Sequence, residues 1–182
     1  MELSDEELYE RIRKGDRRAL AELYERREPA LFRYALQLCG NRATAEEATH
    51  EAFLQLIQRG ARFDCRRGSL EAYLYGMVRN LVRGLRRIEA VVASAEPAAD
   101  DDIVRALMGD EAAAALYDAV RELPPVYRDA VVLCDLEERS YEDAAKLAGC
   151  PVGTIRSRLY RARRLLAAKL TPYKMSWKET TR

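Results

Sequence analysis

Residues 140–170, SYEDAAKLAGCPVGTIRSRLYRARRLLAAKL, constrain the fold more than any other stretch. Ser140 is a good N-cap residue, and Asp143 three positions on gives a capping-box-like start. The pattern predicts a short helix from Tyr141 to Ala148 that stops at Gly149. Cys150 and Pro151 then form a turn, because glycine releases the chain and proline cannot continue the helix. In the next segment Ile155, Leu159, Ala162 and Leu166 recur at steps of four, three and four, which makes one apolar helix face. Arg156, Arg158, Arg161, Arg163 and Arg164 crowd the rest of the circumference. A short helix, a tight turn and a basic second helix form the helix-turn-helix pattern, whose second helix lies in the DNA major groove. Arginine there bridges guanine edges or phosphates. A basic helix alone is equally a solvated face or a site for an acidic partner. The Ser cap, the Ala144-Ala145 pair and the Gly-x-Pro turn weigh toward DNA.

The remaining periodic segments are helical as well, and strand-like alternation is absent, so the chain is expected to be all-α. Ser4 and Glu7 make a capping box for a first helix ending near Lys14, and Asp16 caps a second over 17–27. Pro29 restarts a helix whose Leu31, Tyr34, Ala35 and Leu38 face inward, and Gly40-Asn41 ends it. Over 44–59, Ala45, Ala48, Ala52, Phe53, Leu56 and Ile57 are expected to be buried. Glu46, Glu47, His50, Glu51, Gln55 and Gln58 then form the polar face. A loop carries Arg59, Arg62, Arg66 and Arg67 around Phe63, and Ser69 caps a helix over 70–87. That helix mixes Tyr73 and Tyr75 with Arg79, Asn80, Arg83, Arg86 and Arg87. Arginines interleaved with aromatics suit single-stranded nucleic acid, since cations track phosphates and rings accept stacked bases. Equally, the tyrosines are core residues and the arginines a solvated face. Residues 88–112 read as an acidic linker containing Pro97 and Asp100-Asp101-Asp102, with a helical turn or two over 103–108. Residues 112–123 form a further helix, and the tail after Pro172 is polar.

Composition narrows the function. The chain has 182 residues, enough for one domain or two small ones. No apolar run reaches the length of a membrane span, and the acidic start MELSDEELYE lacks the apolar core of a signal peptide, so a cytoplasmic protein is expected. Cys39, Cys65, Cys134 and Cys150 stand far apart, which argues against a disulfide framework or a zinc site. They read as buried small hydrophobes, with redox sensing at Cys39 or Cys65 as the other option. The single histidine, His50, sits next to Glu51, and adjacent helical residues do not face one another. There is no nucleophile motif, metal-ligand spacing or phosphate-binding glycine loop, so no catalysis, metal or cofactor is expected. Net charge is only +1, distributed as +3 over 1–87, −6 over 88–112 and +4 over 113–182. A balanced chain of this kind is expected to bind duplex DNA weakly by itself.

The stretch LPPVYRDAVVLCDLEERSYEDAAKLAGCPVGTIRSRLYRARRLL resembles the C-terminal domain of bacterial sigma factors of the extracytoplasmic-function (ECF) family. The marks are Leu123-Pro124, Tyr127-Arg128, Ser140-Tyr141-Glu142, Ala145, Gly149, Pro151-Val152-Gly153-Thr154, Ser157-Arg158 and Arg161-Ala162-Arg163. Ala144, Ala148 and Cys150 stand where that family usually has larger aliphatics. Residues 20–87 resemble the N-terminal sigma domain through Glu22-Leu23-Tyr24, Pro29, Ala45-Glu46-Glu47, Glu51-Ala52-Phe53-Leu54, Tyr73-Leu74-Tyr75 and Arg79-Asn80-Leu81. The family often has Asp, Gln, Trp and Trp where this chain has Glu47, His50, Ile57 and Tyr73.

The resemblance implies two small helical domains joined by a flexible acidic linker: a sigma-2-like domain over 1–87, the linker over 88–112, a sigma-4-like helix-turn-helix domain over 113–172, and a polar tail over 173–182. It implies a specificity subunit that binds core RNA polymerase, directs it to promoters and promotes melting. Glu46, Glu47, His50, Glu51, Leu54 and Gln58 would grip the clamp coiled coil of the polymerase's largest subunit, and the chain as a whole would contact the largest and second-largest subunits. Arg62, Phe63, Arg66, Arg67, Ser69, Tyr73, Arg79, Asn80, Arg83 and Arg86 would take the −10 element. Capture of a base out of the stack there offsets a few kcal/mol of unstacking. Val152, Gly153, Thr154, Arg156, Ser157, Arg158 and Arg161 would read the −35 element. The 25 linker residues reach about 80–90 Å extended, against roughly 50–60 Å between the two elements at about 3.4 Å per base step. The linker's acidity fits a nucleic-acid mimic or a plain solubilising spacer. An anti-sigma factor is the expected controlling partner, and Thr49 is a candidate phosphorylation site in the acidic helix. The alternative is a stand-alone helix-turn-helix regulator, which predicts a stable dimer and a palindromic site. No heptad zipper supports it, and it leaves the Arg/Tyr stretch over 62–87 unexplained.

Overall fold

The computed structural model describes residues 3–58, 63–92 and 111–170. These form helices and connecting turns, with no strand among them. Arg62, the helical turn expected over 103–108, most of the expected linker and the tail after Pro172 lie outside the described residues. Helix α1 spans Asp5–Arg13 and starts from the expected capping box, with the Glu7 amide donating to Ser4 Oγ and the Ser4 amide donating to Glu7 Oε2. Asp5, itself buried, accepts from Arg26 at 3.0 Å and from Arg27, which ties α1 to the next helix.

Helix α2, Arg17–Cys39, runs through Pro29 without a break, where the sequence reading expects two helices. Proline removes one backbone bond, but Leu23 before it and Leu31 and Tyr34 after it are all completely buried. Each such side chain contributes about 1.5–3 kcal/mol, so packing on both sides outweighs the lost bond. Gly40 ends the helix in the left-handed conformation at φ 75°, its amide donating to Leu36 O at 2.7 Å. A Cβ there would also lie 2.6 Å from Arg121 Nε, so a larger residue would displace that side chain in addition to straining the backbone. Asn41 Oδ1 then accepts from the Thr44 amide and opens helix α3, Arg42–Gln58. Asp64 caps a single tight turn over Cys65–Arg67, and Ser69 Oγ accepts from the Ala72 amide at the start of helix α4, Leu70–Val92. The expected caps Asp16 and Ser69 are both present. Helices α1 to α4 share a core that includes Leu8, Leu23, Leu31, Tyr34, Ala48, Phe53, Leu74 and Val78.

In the second half, α5 spans Glu111–Arg121 and α6 spans Pro125–Val131, continued by one π-helical turn over Val132–Leu136. Helix α7, Tyr141–Ala148, and helix α8, Val152–Leu170, follow the turn at Gly149, which has φ 65°. Ile155, Leu159, Ala162 and Leu166 are buried, as their spacing predicts. Arg128 is buried and donates to the carbonyls of Val120, Arg121 and Leu123 at and just past the end of α5.

The two halves pack against each other. Helix α4 lies along α7, and α2 touches the π-helical turn. Asp129, 3% exposed, accepts from the Tyr34 hydroxyl and forms an ion pair with Arg79 at 3.2 Å. Arg79 also donates to Leu147 O, Arg128 to Leu38 O and Arg139 to Tyr75 Oη. Nothing in the sequence pattern marks this contact.

Candidate nucleic-acid interface

Three exposed surfaces carry the residues singled out by the sequence. The first is a stripe along α3. Glu46, Glu47, His50, Leu54 and Gln58 are exposed and Glu51 is half-buried, so the expected face stands outward. Ile57 is 46% exposed rather than buried, and with Leu54 it puts two aliphatic side chains among the acids. Positions 47, 50, 54 and 57 follow helical spacing, so Ile57 belongs to the outer stripe. Glu46 is paired with Arg42 at 2.8 Å, and Glu51 accepts from Gln55. Tyr24 stacks obliquely on Phe53 and stands edge-on to His50. Thr49 is 2% exposed and its hydroxyl donates to Ala45 O at 2.8 Å, so the expectation of a phosphorylation site there fails: a kinase cannot reach it.

The second surface is the start of α4 with the turn before it. Phe63 sits between Tyr9 and Tyr73, with ring centroids 5.2 and 5.4 Å away. Phe63 and Tyr73 are half-buried, while Arg66, Arg67 and Ser69 are exposed around them. Further along, Asn80, Arg83 and Arg87 are exposed. At about 100° per residue, Asn80 falls in line with Tyr73. Arg79 and Arg86 do not share that face. Arg79 is held by Asp129 and Leu147 O, and Arg86 donates to Leu38 O at 3.3 Å. These two residues depart from the sequence reading because they lie with buried Tyr75 and Val82 on the side of α4 that meets the second half. The partial burial of Arg79 disfavours its charge, but the Asp129 carboxylate and the Tyr34 hydroxyl together outweigh this and hold its pKa above the ordinary value. Burial, reinforced by Asp129, pushes the Tyr34 hydroxyl well above its ordinary pKa, so it remains a donor.

The third surface is the outer face of α8. Gly153, Arg156, Ser157 and Arg161 are exposed, and Val152 and Thr154 are half-buried at the helix start. Arg156 lies over the Tyr141 ring, 5.6 Å from its centroid, and 3.9 Å from Glu142. Helix α7 therefore holds this arginine in place from below. Arg158 is half-buried and donates to Cys150 Sγ at 3.7 Å, so it sits at the edge of the face. Arg163 is engaged bidentately by Asp135. Tyr160, 65% exposed and next to Arg164, was not singled out by the sequence reading. Its spacing from Arg156 and Gly153, four and seven residues, places it on the same face and was the available signal.

The geometry carries two separate basic faces, one with aromatics and one on a helix-turn-helix, together with an acidic and apolar helix. The model for Sigma-70 region 2 matches residues 23–90, and that for Sigma-70, region 4 matches residues 113–166. The ECF RNA polymerase sigma factor SigC of Mycobacterium tuberculosis is 33% identical over 163 residues, covering 87% of each chain. This chain belongs to the ECF family of RNA polymerase sigma factors. The ECF sigma factor SigE of Mycolicibacterium smegmatis is also 33% identical over 163 residues. That match covers 84% of this chain but 63% of the relative, so the chain spans less than two thirds of that protein's length. Among solved structures, the Bartonella quintana sigma factor RpoE, in complex with the anti-sigma factor NepR, superposes with a TM-score of 0.60. It is 25% identical, covering 83% of this chain and 96% of that one. The sigma-factor fold explains why the Arg/Tyr helix and the helix-turn-helix occur together.

Proposed function

We propose that this ECF sigma factor binds core RNA polymerase through α3, brings it to promoters and assists their melting. The observation that carries the reading is that both sigma regions occur in order on one chain and each presents an exposed face of the required chemistry. Glu46, Glu47, His50, Glu51, Leu54, Ile57 and Gln58 supply acids around two aliphatic anchors for a basic and apolar polymerase surface. Phe63, Arg66, Arg67, Ser69, Tyr73, Asn80 and Arg83 supply rings and cations for a single strand at the −10 element. Arg156, Ser157 and Tyr160 approach base edges at the −35 element, with Arg161 on phosphate and Val152, Gly153 and Thr154 at the helix N-terminus against the backbone. Residues 1–87 and 113–172 act as the two reading domains, with 88–112 as the tether. The work takes place where the transcription machinery is, in the cytoplasm, and the chain performs no catalysis itself. No helix among the described residues is long and apolar enough to cross a membrane. An anti-sigma factor is the expected controller, as the Bartonella quintana complex illustrates for that protein.

The test is run-off transcription from a promoter library with purified bacterial core polymerase. Promoter-specific transcripts that require both the chain and core support the reading. Sequence-specific duplex binding by the free chain as a dimer, with no effect on core polymerase, would replace it with the stand-alone regulator.

A further inference from the structure

We infer that helix α1 is part of the −10 reader: Glu6 and Tyr9 hold the two ends of the turn that carries Arg66 and Arg67, and so set how that turn meets a single strand. This deepens the sigma-factor reading and rests on it for the ligand. Helix α1, Asp5–Arg13, precedes residues 23–90, the stretch matched by the region 2 model, so the family match assigns it no part in reading DNA. All six residues of the turn, 64–69, are exposed, while Phe63 before them is half-buried and Leu70 after them is buried. Both ends are gripped by α1. At the first, the Phe63 ring stands at 88° to the Tyr9 ring, with centroids 5.2 Å apart, and Tyr73 lies at 5.4 Å as its other neighbour. At the second, the Leu70 amide donates to Glu6 Oε1 at 3.0 Å. That amide is one of those that the start of α4 leaves without an intrahelical acceptor. Helix α1 is itself anchored, since buried Asp5 pairs with Arg27 and Arg27 pairs with Glu71 on α4 at 2.8 Å.

The arrangement bears on specificity. Tyr9 is 2% exposed, so it acts through Phe63 and not by touching DNA; it is a positioning residue. An edge-on neighbour fixes the plane of a ring, because the positive edge of one meets the negative face of the other. The plane of Phe63 in turn sets the angle of the surface on which a base stacks. At the other end, Glu6 fixes where α4 starts, and Tyr73 lies one turn further along that helix. Between the held ends, the Arg66 and Arg67 amides both donate to Asp64, the first to its carboxylate and the second to its carbonyl. A turn whose ends are already held has less left to order when a strand arrives. A leucine at position 9 keeps an apolar side chain in the core but removes the ring edge, which separates positioning from plain burial.

The test is the affinity of the holoenzyme, full chain plus purified core polymerase, for fluorescent single strands. These carry the non-template −10 sequence of a promoter selected by run-off transcription, either intact or with one base at a time replaced by an abasic site. Tyr9→Leu should weaken binding of the intact strand by about 2- to 10-fold. One abasic strand, the one lacking the base that stacks on Phe63, should be bound equally by Tyr9→Leu and wild type. Tyr9→Phe keeps the ring and should restore wild-type binding of every strand, with core affinity the same for all three proteins. Equal binding of all strands by Tyr9→Leu and wild type overturns the inference. Uniform weakening of all strands, abasic ones included, overturns it too, since that marks a purely structural part. If Tyr9→Leu loses helicity by circular dichroism, Glu6→Ala decides: the same strand-selective loss supports the inference, and wild-type binding or uniform weakening overturns it. A wild type that binds neither core nor strand removes the sigma reading itself. A wild type that binds both, with Tyr9→Leu indistinguishable from it, removes only the part given to α1.

Discussion

Arg156 and Arg161 are both exposed on α8 but should fail in different ways when truncated. Arg156 is pinned over Tyr141 at 5.6 Å and near Glu142 at 3.9 Å, so its guanidinium enters the groove with little ordering left to do. A preorganised arginine bidentate to guanine discriminates by about 1–3 kcal/mol. At about 1.4 kcal/mol per tenfold, Arg156→Ala should weaken binding of the holoenzyme to its −35 duplex by about 5- to 150-fold. The loss should concentrate at one base pair, so that pair becomes permissive. Arg161, turned about 140° around the helix from Arg156, is expected to meet phosphate. Arg161→Ala should lower affinity evenly across sequences and reduce the salt slope by about 0.9. Between about 50 and 200 mM salt, its disadvantage against wild type should therefore shrink by about 3.5-fold. The assay is a salt titration of holoenzyme on duplexes carrying each single substitution in the −35 element. Uniform weakening by Arg156→Ala, or a changed base preference for Arg161→Ala, would refute this division of labour.

Other consequences are equally concrete. Ile57→Asp should weaken core binding while leaving thermal stability close to wild type, because the side chain is half exposed; equal affinity in a binding titration would exclude Ile57 from the contact. Thr49→Glu should lower the melting temperature instead of tuning polymerase docking, since it places a charge at a 2% exposed site; an unchanged melting curve contradicts that. Ser140→Ala should cost about 1 kcal/mol of stability through loss of the α7 cap, read by urea unfolding. Cys65 should be alkylated first under native conditions, since it is exposed, while burial pushes the Cys134 thiol up to about 11. Because that folded value is raised, the stability that Cys134 adds is fully present below its ordinary pKa of 9.0 and fades between pH 9 and about 11; a flat melting temperature across that window would argue against it.

Much of this architecture is legible in the sequence. Ser4, Asp16, Ser69 and Ser140 mark helix starts because each side chain satisfies an amide that the helix leaves open. Gly40 and Gly149 mark stops because the chain there turns left-handed. The apolar period of α8 named its buried side correctly. Pro29 misled because local propensity carries no information about the leucines and tyrosine that hold α2 straight. Ile57 and Thr49 misled for a related reason, since polarity predicts exposure only on average. Arg79 and Arg86 looked like DNA-facing cations because arginine reads the same in sequence whether its partner is phosphate or a distant aspartate. Asp129 lies fifty residues from Arg79, and no periodicity links them.

The most direct measurement is the equilibrium affinity of the full chain for purified bacterial core polymerase, compared with a Glu47→Lys, Leu54→Asp variant of α3. The sigma-factor account predicts saturable, tight binding by the wild type and a large loss in the variant at unchanged helicity. Absence of wild-type binding, or equal binding by both proteins, would contradict it.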